Sequence, residues 1–334
     1  MEAAKEQLQA GDAKVDVKSQ VARTLIDAME KGDTPWQKPW KSQALMPSNL
    51  TTNTGYRGIN RLLLALSGRT SNLWCTYQQA AAKGWQVRKG EKGTMIVKVV
   101  EFARDDKDQG GASGSSGSAS EGREAESAQR KCFALKRYWV FNAEQIEGAP
   151  QPERGTGQDF NPVEKAEAVV RALTEQTGLL VIHGGNQACY IPALDEVRLP
   201  PVRAFATPYD MWATKMHECA HSTMHAKRLN RTEAYAKRWG DSVYALEELT
   251  AEISSAMLSA ETGVPMSQDP VHVQNHASYL RSWIKAIESD PMAIFTAAKN
   301  ADRICEYMLG LERQMTAMAP HKEWIEEYDN ARRA

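Results

Sequence analysis

Tyr209-Asp-Met-Trp-Ala-Thr-Lys-Met-His-Glu-Cys-Ala-His-Ser-Thr-Met-His225 is the stretch that decides the fold of this chain, because it places two histidines four residues apart with a glutamate directly after the first. On a helix, His217 and His221 lie one turn apart on one face, where both can bind one Zn²⁺. Glu218 then lies beside the ion, where it can take the proton of an attacking water. The spacing predicts a helical metal site with a general base next to it.

A mononuclear catalytic zinc needs a third protein ligand and one open position, and residues 246–258 supply a candidate ligand. Their apolar positions recur at helical spacing, with Glu248 and Glu252 one turn apart beside them. We expect Glu248 to be the third ligand and Glu252 to hold a ligand histidine through its other ring nitrogen. Glu247 is the adjacent alternative ligand, and a solvated acidic helix face is the ordinary meaning of such a run. The expected ion is one Zn²⁺ per chain, and Mn²⁺ is a second ion that these ligands accept.

Other residues compete for roles near this site. His225 lies one turn beyond His221, but the longer His-Glu-x-x-His-x-x-Gly-x-x-His motif places its third histidine two residues further on, after a glycine. We therefore expect His225 to be a surface residue or a hydrogen-bond partner of a ligand. His272, His276 and Tyr279 are candidates for stabilising the oxyanion of peptide hydrolysis, but the sequence does not rank them and ordinary helix positions are the simpler interpretation.

Composition restricts the class and location of the protein. A chain of 334 residues with 42% hydrophobic content is long enough for two domains, each with its own core. Its five cysteines are odd in number and show no Cys-x-x-Cys spacing, which indicates a reducing compartment. No apolar run reaches the length needed to cross a bilayer, and the N-terminus does not resemble a signal peptide. We expect a cytoplasmic protein with no membrane partner.

Positive charge is concentrated in residues 31–100, which carry eleven Lys and Arg against two acidic residues, a balance of 11 − 2 = +9 in a chain of net charge −1. Four of the nine tryptophans lie in the same block. Bases of single-stranded DNA stack on aromatic planes while cations follow the phosphates without reading sequence. Trp74 and Trp85 are also candidates for a core, which makes Trp36 and Trp40 the first residues to test. The residues that we nominate for DNA binding are Trp36, Lys38, Trp40, Tyr56, Arg57, Arg61, Trp74, Arg88, Lys89 and Lys92.

Periodicity outlines the first domain, which we place at residues 1–148. An amphipathic helix ends near Gly32, and the alternating run 87–102 predicts a strand that pairs with 136–141 as an antiparallel hairpin. The Gly/Ser-rich segment between them, about 104–130, is low in apolar residues and is predicted to be a disordered insertion. The Pro/Gly-rich segment 149–160 is predicted to be a linker.

The second domain is placed at 161–334 and is predicted to be mostly helical with a small sheet. A helix is expected at 161–177, followed by short strands at 179–182 and 196–200, with 190–195 leading into the second strand. After the metal-ligand helix, 277–287 and 293–311 are the clearest helices. The predicted fold class is therefore α+β, in two domains.

Several motifs in this chain resemble those of the ArdC family of antirestriction proteins, which conjugative plasmids encode and which are related to the N-terminal part of plasmid TraC primases. The resemblance covers nearly the whole chain outside 1–15 and 104–130. The Gly/Ser-rich insertion departs from the family pattern at a loop tip, where insertions are tolerated. The motifs are Trp36-x-x-x-Trp40, Tyr56-Arg-Gly-Ile-Asn60, Lys89-Gly-Glu-Lys-Gly93, Val140-Phe-Asn-Ala-Glu-Gln-Ile-Glu-Gly148, His217-Glu-Cys-Ala-His-Ser-Thr223, Arg228-Leu-Asn-Arg231 and Glu247-Glu-Leu-Thr-Ala-Glu252.

This resemblance implies an N-terminal domain that binds single-stranded DNA without sequence preference and a C-terminal zincin-like metallopeptidase domain of the gluzincin kind. It implies that the protein protects incoming plasmid DNA during conjugation and acts on an unidentified protein substrate, for which host restriction or DNA-associated proteins are candidates. A protein that only coats single-stranded DNA, with a structural or vestigial metal site, is the alternative that the sequence leaves open.

Overall fold

The structure is a computed structural model that describes residues 16–32, 46–104, 130–151, 161–231, 242–265 and 270–318. Nearly all of the predicted insertion at 104–130 and most of the predicted linker at 149–160 lie outside these residues, as do Trp36, Lys38 and Trp40. No helix within the described ranges is long and apolar enough to span a membrane.

The N-terminal part is a four-stranded sheet with short helices around it. Its described elements are α1 Val17–Glu30, β1 Ser48–Asn49, α2 Ile59–Leu66, β2 Leu73–Cys75, α3 Tyr77–Ala82, β3 Gln86–Val87, β4 Thr94–Arg104, β5 Arg130–Asn142 and β6 Ile146–Glu147. The main sheet has the order β1-β2-β5-β4, and β3 pairs with β6 as a separate antiparallel ribbon.

The predicted antiparallel hairpin is confirmed. Strands β4 and β5 pair without interruption from Thr94 opposite Val140 to Arg104 opposite Arg130. The first strand was predicted to begin at residue 87, but a turn separates β3 from β4, and Gly90 within it adopts a φ of +86° that favours glycine. The turn brings Lys89 and Lys92 to the end of the hairpin.

The C-terminal part is mostly helical, as predicted, with a small mixed sheet. Its described elements are α4 Pro162–Thr177, β7 Leu180–His183, β8 Cys189–Ile191, β9 Glu196–Leu199, α5 Pro208–Ser222, α6 Ser242–Thr262, α7 Pro270–Ser289 and α8 Met292–Met318. The sheet order is β7-β9-β8, with β9 parallel to β7 and antiparallel to β8. Strand β8 therefore lies at an edge of the sheet.

Local sequence fixes where the metal-ligand helix begins. Thr207 is the N-cap of α5, and its side chain accepts a hydrogen bond from the backbone N–H of Asp210 at 3.1 Å. Pro208 occupies the first helical position, where its missing N–H has no cost. The helix then continues for four turns, which carries His217 and His221 along one face toward α6.

The hydrophobic core does not divide as the sequence suggested. One large cluster of buried residues includes Leu25 of α1 and Leu62 of α2 together with Met216 of α5 and Trp283 of α7. Two small clusters in the N-terminal sheet are separate from it. The expectation that each domain has its own core is wrong for the large cluster, because α1 packs its apolar stripe against α7 and α8 as well as β5.

Candidate metal centre

Two histidine side chains face each other on α5. The Nε2 atoms of His217 and His221 are 3.2 Å apart, and the two rings meet edge to face with centroids 4.9 Å apart. Both side chains are mostly buried between α5 and α6. Two basic nitrogens aimed at one point are the arrangement that a shared cation stabilises.

Glu248 of α6 completes the group. Its Oε2 lies 3.7 Å from His217 Nε2, and its Oε1 lies 3.6 Å from His221 Nε2. One ligand atom from each of the three residues lies within 4.8 Å of the others. Two imidazole nitrogens and one carboxylate suit a divalent transition metal and leave a coordination position open, so the donor set fits the ion that the sequence predicts.

A second carboxylate and an arginine hold His221 from behind. Glu247 Oε1 lies 3.0 Å from His221 Nδ1, and the Arg231 guanidinium binds both oxygens of Glu247, at 2.6 and 3.0 Å. Arg231 also donates to Thr223 Oγ1 at 3.1 Å and is only 1% exposed. Adjacent residues on a helix point about 100° apart, so Glu247 turns away from the point that Glu248 approaches.

His217 has its own carboxylate. Glu252 Oε2 lies 3.4 Å from His217 Nδ1, which is the position that the sequence assigned to Glu252. No such position was predicted for Glu247, and no role was predicted for Arg231. Its partner Glu247 is sixteen residues away along the chain, so no local spacing pattern links the two residues. The one sequence feature that pointed to Arg231 was the Arg228–Arg231 motif of the family resemblance.

Glu218 is 8% exposed and lies beside the two histidines. Burial raises the pKa of its carboxyl, while the imidazoles of His217 and His221 oppose that rise. The backbone N–H of Tyr190 in β8 also hydrogen-bonds to this carboxylate. A carboxylate whose pKa is raised by burial accepts a proton more readily, as a general base must.

The charges of the ligand group favour an ionised third ligand. Burial alone would raise the pKa of Glu248, but His221 and His217 beside it lower that pKa to about 2. Burial alone would lower the pKa of His217, but Glu248 and Glu252 raise it well above its usual value. Glu248 is therefore a carboxylate at any ordinary pH, which is the form that binds metal.

Two tyrosines extend from Glu248 across the site. The Tyr244 hydroxyl is hydrogen-bonded to Glu248 and lies 2.8 Å from the Tyr279 hydroxyl, and Tyr279 stacks on Trp283 with ring centroids 5.9 Å apart. Tyr279 is the one oxyanion candidate of the sequence whose side chain the structure describes. His272 and His276 lie in α7 where only the backbone is described.

A buried arginine fastens β8 to the end of α5. Arg228 donates to the carbonyl oxygen of Ser222 at 2.7 Å and forms an ion pair with Asp195, which accepts a hydrogen bond from the Tyr190 hydroxyl at 3.0 Å. His225 Nδ1 lies 3.8 Å from Asp195 Oδ2 and is not part of the ligand group. The network holds the β8 backbone next to Glu218.

Two of the nominated DNA-binding residues have side chains that are buried or mostly buried in the structure. Trp74 of β2 is 2% exposed and packs in a cluster with Leu64 and Ile96, so it is a core residue and the nomination is corrected. The side chain of Arg61 is 12% exposed and lies 3.0 Å from Asp302 of α8. This ion pair ties α2 to the C-terminal part, so Arg61 is likewise withdrawn as a phosphate contact.

Other nominated residues lie at the surface or close to it. Arg57 is exposed and pairs with Glu306 at 2.7 Å, while Arg88 is exposed and pairs with Glu91 at 2.9 Å. Lys89 and Lys92 are exposed in the turn before β4. Tyr56 is half-buried, and its hydroxyl accepts a hydrogen bond from Asn49 at 3.3 Å.

Two family models match the chain. The model described as the N-terminal domain of anti-restriction factor ArdC matches residues 15–141, and the model described as a zincin-like metallopeptidase matches residues 166–300. The first match spans the sheet with its helices, and the second spans α5 and α6 with the ligand group.

Several curated relatives are similar over most of this chain. Two DNA primases TraC of Escherichia coli are 39% identical over 298 residues and 37% identical over 320 residues, covering 88% and 93% of this chain. The chain spans only 20% and 29% of the length of those primases. The uncharacterized protein y4eC of Sinorhizobium fredii is 33% identical over 300 residues, which cover 88% of this chain and 91% of that protein.

Two crystal structures of the antirestriction protein ArdC from plasmid R388 share this fold at 32% sequence identity. The metal-free structure matches with a TM-score of 0.71, covering 90% of this chain and 99% of that one. The Mn(II)-bound structure matches with a TM-score of 0.67, covering 89% of this chain and 98% of that one.

Proposed function

We propose that this chain, which belongs to the ArdC-type family of antirestriction proteins, is a metal-dependent peptidase that also binds single-stranded DNA and protects incoming plasmid DNA during conjugation. One observation carries the peptidase proposal. The imidazoles of His217 and His221 and the carboxylate of Glu248 converge on one point, with the buried carboxylate of Glu218 beside them. Three ligands and a base are the minimum that a hydrolytic metal centre requires.

The residues would hold one divalent ion. We favour Zn²⁺ because two imidazoles and a carboxylate are a common zinc set, and Mn²⁺ is the alternative, supported by the Mn(II) found in the R388 relative. When bound, the ion supplies a Lewis acid that polarises the scissile carbonyl and lowers the pKa of water.

The remaining chemistry belongs to the side chains. Glu218 accepts a proton from the attacking water and later passes it to the leaving amine, which a buried carboxylate with a raised pKa can do in both directions. Glu247 and Glu252 fix the ring orientation of the two histidines, so the ligand geometry is set before a substrate arrives. Tyr279 is the described side chain that we assign to the oxyanion, because its hydroxyl reaches Glu248 through Tyr244.

A protein substrate would bind as an extended strand along β8. This strand is at the edge of its sheet, and an extended peptide can add to such an edge through backbone hydrogen bonds. The backbone of Tyr190 contacts Glu218, so a peptide paired along β8 passes close to the base. Host restriction or DNA-associated proteins are the candidate substrates.

The DNA-binding proposal rests on charge. Residues 31–100 carry a balance of +9, and Arg57, Lys89 and Lys92 are exposed. Such a surface attracts phosphates without reading sequence. The four cysteines in the described residues whose side chains are placed are free thiols, which supports action in the cytoplasm.

Replacing Glu218 by glutamine tests the peptidase proposal. The Glu218→Gln variant should retain one equivalent of metal, but cleavage of a fluorogenic peptide library should fall roughly 10²–10⁴-fold because the base is lost. Protection of transferred plasmid DNA should fall with it. The matched control is Glu175→Gln, which changes an exposed glutamate of α4. If Glu218→Gln protects transferred DNA as well as the parent, proteolysis is not the operative activity and the protein acts by coating DNA alone.

A further inference from the structure

A continuous row of side chains crosses one face of the N-terminal sheet, and none of its members was nominated from the sequence. We call it the Trp139 row, and it consists of Tyr77, Phe141, Trp139 and Arg137. The rings of Tyr77 and Phe141 meet edge to face with centroids 6.4 Å apart, and the Arg137 guanidinium lies 5.9 Å from the Trp139 ring centre.

Gly93 joins the middle of the Trp139 row. A Cβ at Gly93 would lie 3.1 Å from Trp139 Cβ and 3.3 Å from Phe141 Cζ, so both side chains lie against this glycine. Arg137 is held over Trp139 by α1, because its Nη1 donates to Gln20 Oε1 at 3.0 Å. The backbone of the sheet, Gly93 and α1 therefore hold the side chains of the row in place.

Two of the three rings of the row are open, whereas Phe141 is only partly exposed and packs against the small cluster of Cys75 and Ala80. Tyr77 is 52% exposed and Trp139 is 50% exposed, whereas Trp74 on the opposite face of the same sheet is 2% exposed. Alternate residues of a strand share a face, which places Arg137, Trp139 and Phe141 together along β5. Half-open aromatic rings in a fixed line are surfaces on which flat rings can stack.

Positive charge lies beside the row. Lys89 and Lys92 are exposed in the turn that leads to Gly93. The acid between them, Glu91, is occupied by Arg88 at 2.9 Å, Arg69 at 3.3 Å and Gln145 at 2.9 Å. An aromatic surface next to two lysines that form no ion pair with a described acidic residue suits a partner with flat rings and negative charge. That description fits a nucleic acid better than an apolar protein surface.

We propose that the Trp139 row is the surface on which bases of single-stranded DNA stack, with Lys89 and Lys92 following the phosphates. This inference rests on the proposed binding of single-stranded DNA and specifies where it takes place. Alternate residues of a strand are about 7 Å apart, twice the 3.4 Å spacing of bases along one strand of a duplex, so the row favours bases that are drawn apart. Paired bases of a duplex cannot reach these rings.

The inference is tested by measuring, through fluorescence anisotropy, how the whole 334-residue chain binds a fluorescent oligothymidylate. Trp139→Ala and Tyr77→Ala should each weaken binding roughly tenfold or more, because each removes a stacking plane. Trp139→Phe keeps an aromatic plane and should retain most of the affinity, whereas Trp139→Leu keeps only apolar bulk and should not. Lys92→Ala should reduce the slope of log affinity against log salt concentration by about 0.7.

The matched control is Tyr138→Ala. Tyr138 is an exposed ring next to Trp139 on the same strand but on the opposite face, so its loss should leave the affinity unchanged. Circular dichroism and the thermal midpoint of each variant establish that it is folded. Among folded variants, comparing the DNA affinities of Trp139→Phe and Trp139→Leu distinguishes the effect of an aromatic plane from the effect of apolar volume.

Two results overturn the inference alone. If the parent binds the oligonucleotide and Trp139→Ala and Tyr77→Ala bind it equally well, the stacking surface lies elsewhere although DNA binding stands. If sedimentation velocity shows a dimer that Trp139→Ala abolishes while DNA binding is unchanged, the row serves a second copy of this chain. A parent protein that does not bind the oligonucleotide refutes the proposed DNA binding and this inference together.

Discussion

The metal centre and the Trp139 row position their functional side chains in opposite ways. At the metal centre the ligand atoms are buried, and His221 is held by Glu247, which is held in turn by Arg231. In the Trp139 row the rings of Tyr77 and Trp139 are half exposed and are supported from one side only, while Phe141 packs against a small buried cluster. Hydrolysis at an ion needs ligand atoms fixed to a fraction of an ångström, which requires partners behind each ligand. Binding a flexible strand of any sequence needs open planes, and further partners would cover them.

The difference predicts where substitutions change stability and where they change binding alone. The largest effect is expected at Arg231, whose removal leaves the Glu247 carboxylate buried without its guanidinium. Arg231→Ala should lower the free energy of unfolding by roughly 3–5 kcal/mol, measured by urea denaturation. The control Arg171→Ala changes an exposed arginine of α4 and should stay within about 0.5 kcal/mol of the parent.

A double variant separates stability from positioning. Arg231→Met with Glu247→Leu removes both charges and should recover much of the lost stability, because a buried pair replaced by apolar groups is close to neutral. Its metal affinity should nevertheless be lower than that of the parent, since His221 has lost the carboxylate on Nδ1. Full metal affinity in this folded double variant would show that Glu247 and Arg231 serve the fold only.

The Glu252→Gln variant tests whether Glu252 supports His217 or binds the ion itself. Glu252 lies at His217 Nδ1 and not at the ligand point, so the variant should still bind one ion, with an affinity roughly 10–100-fold lower. Competition with a chromogenic chelator measures this affinity. Complete loss of the ion would make Glu252 a ligand, and an unchanged affinity would remove it from the site.

The parts of the metal centre that could be predicted are those whose residues lie close together along the chain. His217 and His221 are separated by one helical turn, so the sequence alone places them together. Glu248 was found because it shares a helix face with Glu252. The roles of Glu247 and Arg231 were missed because they depend on how α6 is rotated against α5, and no local pattern contains that rotation.

The smallest expected effect is a difference in stability between substitutions of two tryptophans of the N-terminal sheet. Trp74→Phe should lower the free energy of unfolding by about 1–2 kcal/mol because it leaves space in a packed cluster, while DNA binding by the folded protein is unchanged. Trp139→Phe should leave stability within about 0.5 kcal/mol of the parent. A Trp74→Phe variant that loses DNA affinity at full stability would return Trp74 to the binding surface.

The sequence misassigned Trp74 for a physical reason. Residues 31–100 were selected by charge and tryptophan content, but exposure is decided by which face of the sheet a side chain occupies. Strand β2 pairs with β5, so Trp74 faces the cluster with Leu64 while Trp139 of β5 faces outward. The hairpin itself was predicted. Predicting which of its faces is exposed would have required the register of three strands and the positions of α1 and α2.

Metal analysis of the purified chain tests most directly whether His217, His221 and Glu248 hold one divalent ion. The parent and the His225→Ala variant should each contain one equivalent, because His225 lies on the Asp195 side of the α5 end and outside the ligand group. The His217→Ala/His221→Ala double variant should contain none. One equivalent of metal retained by the folded double variant would contradict the account and place the ion elsewhere.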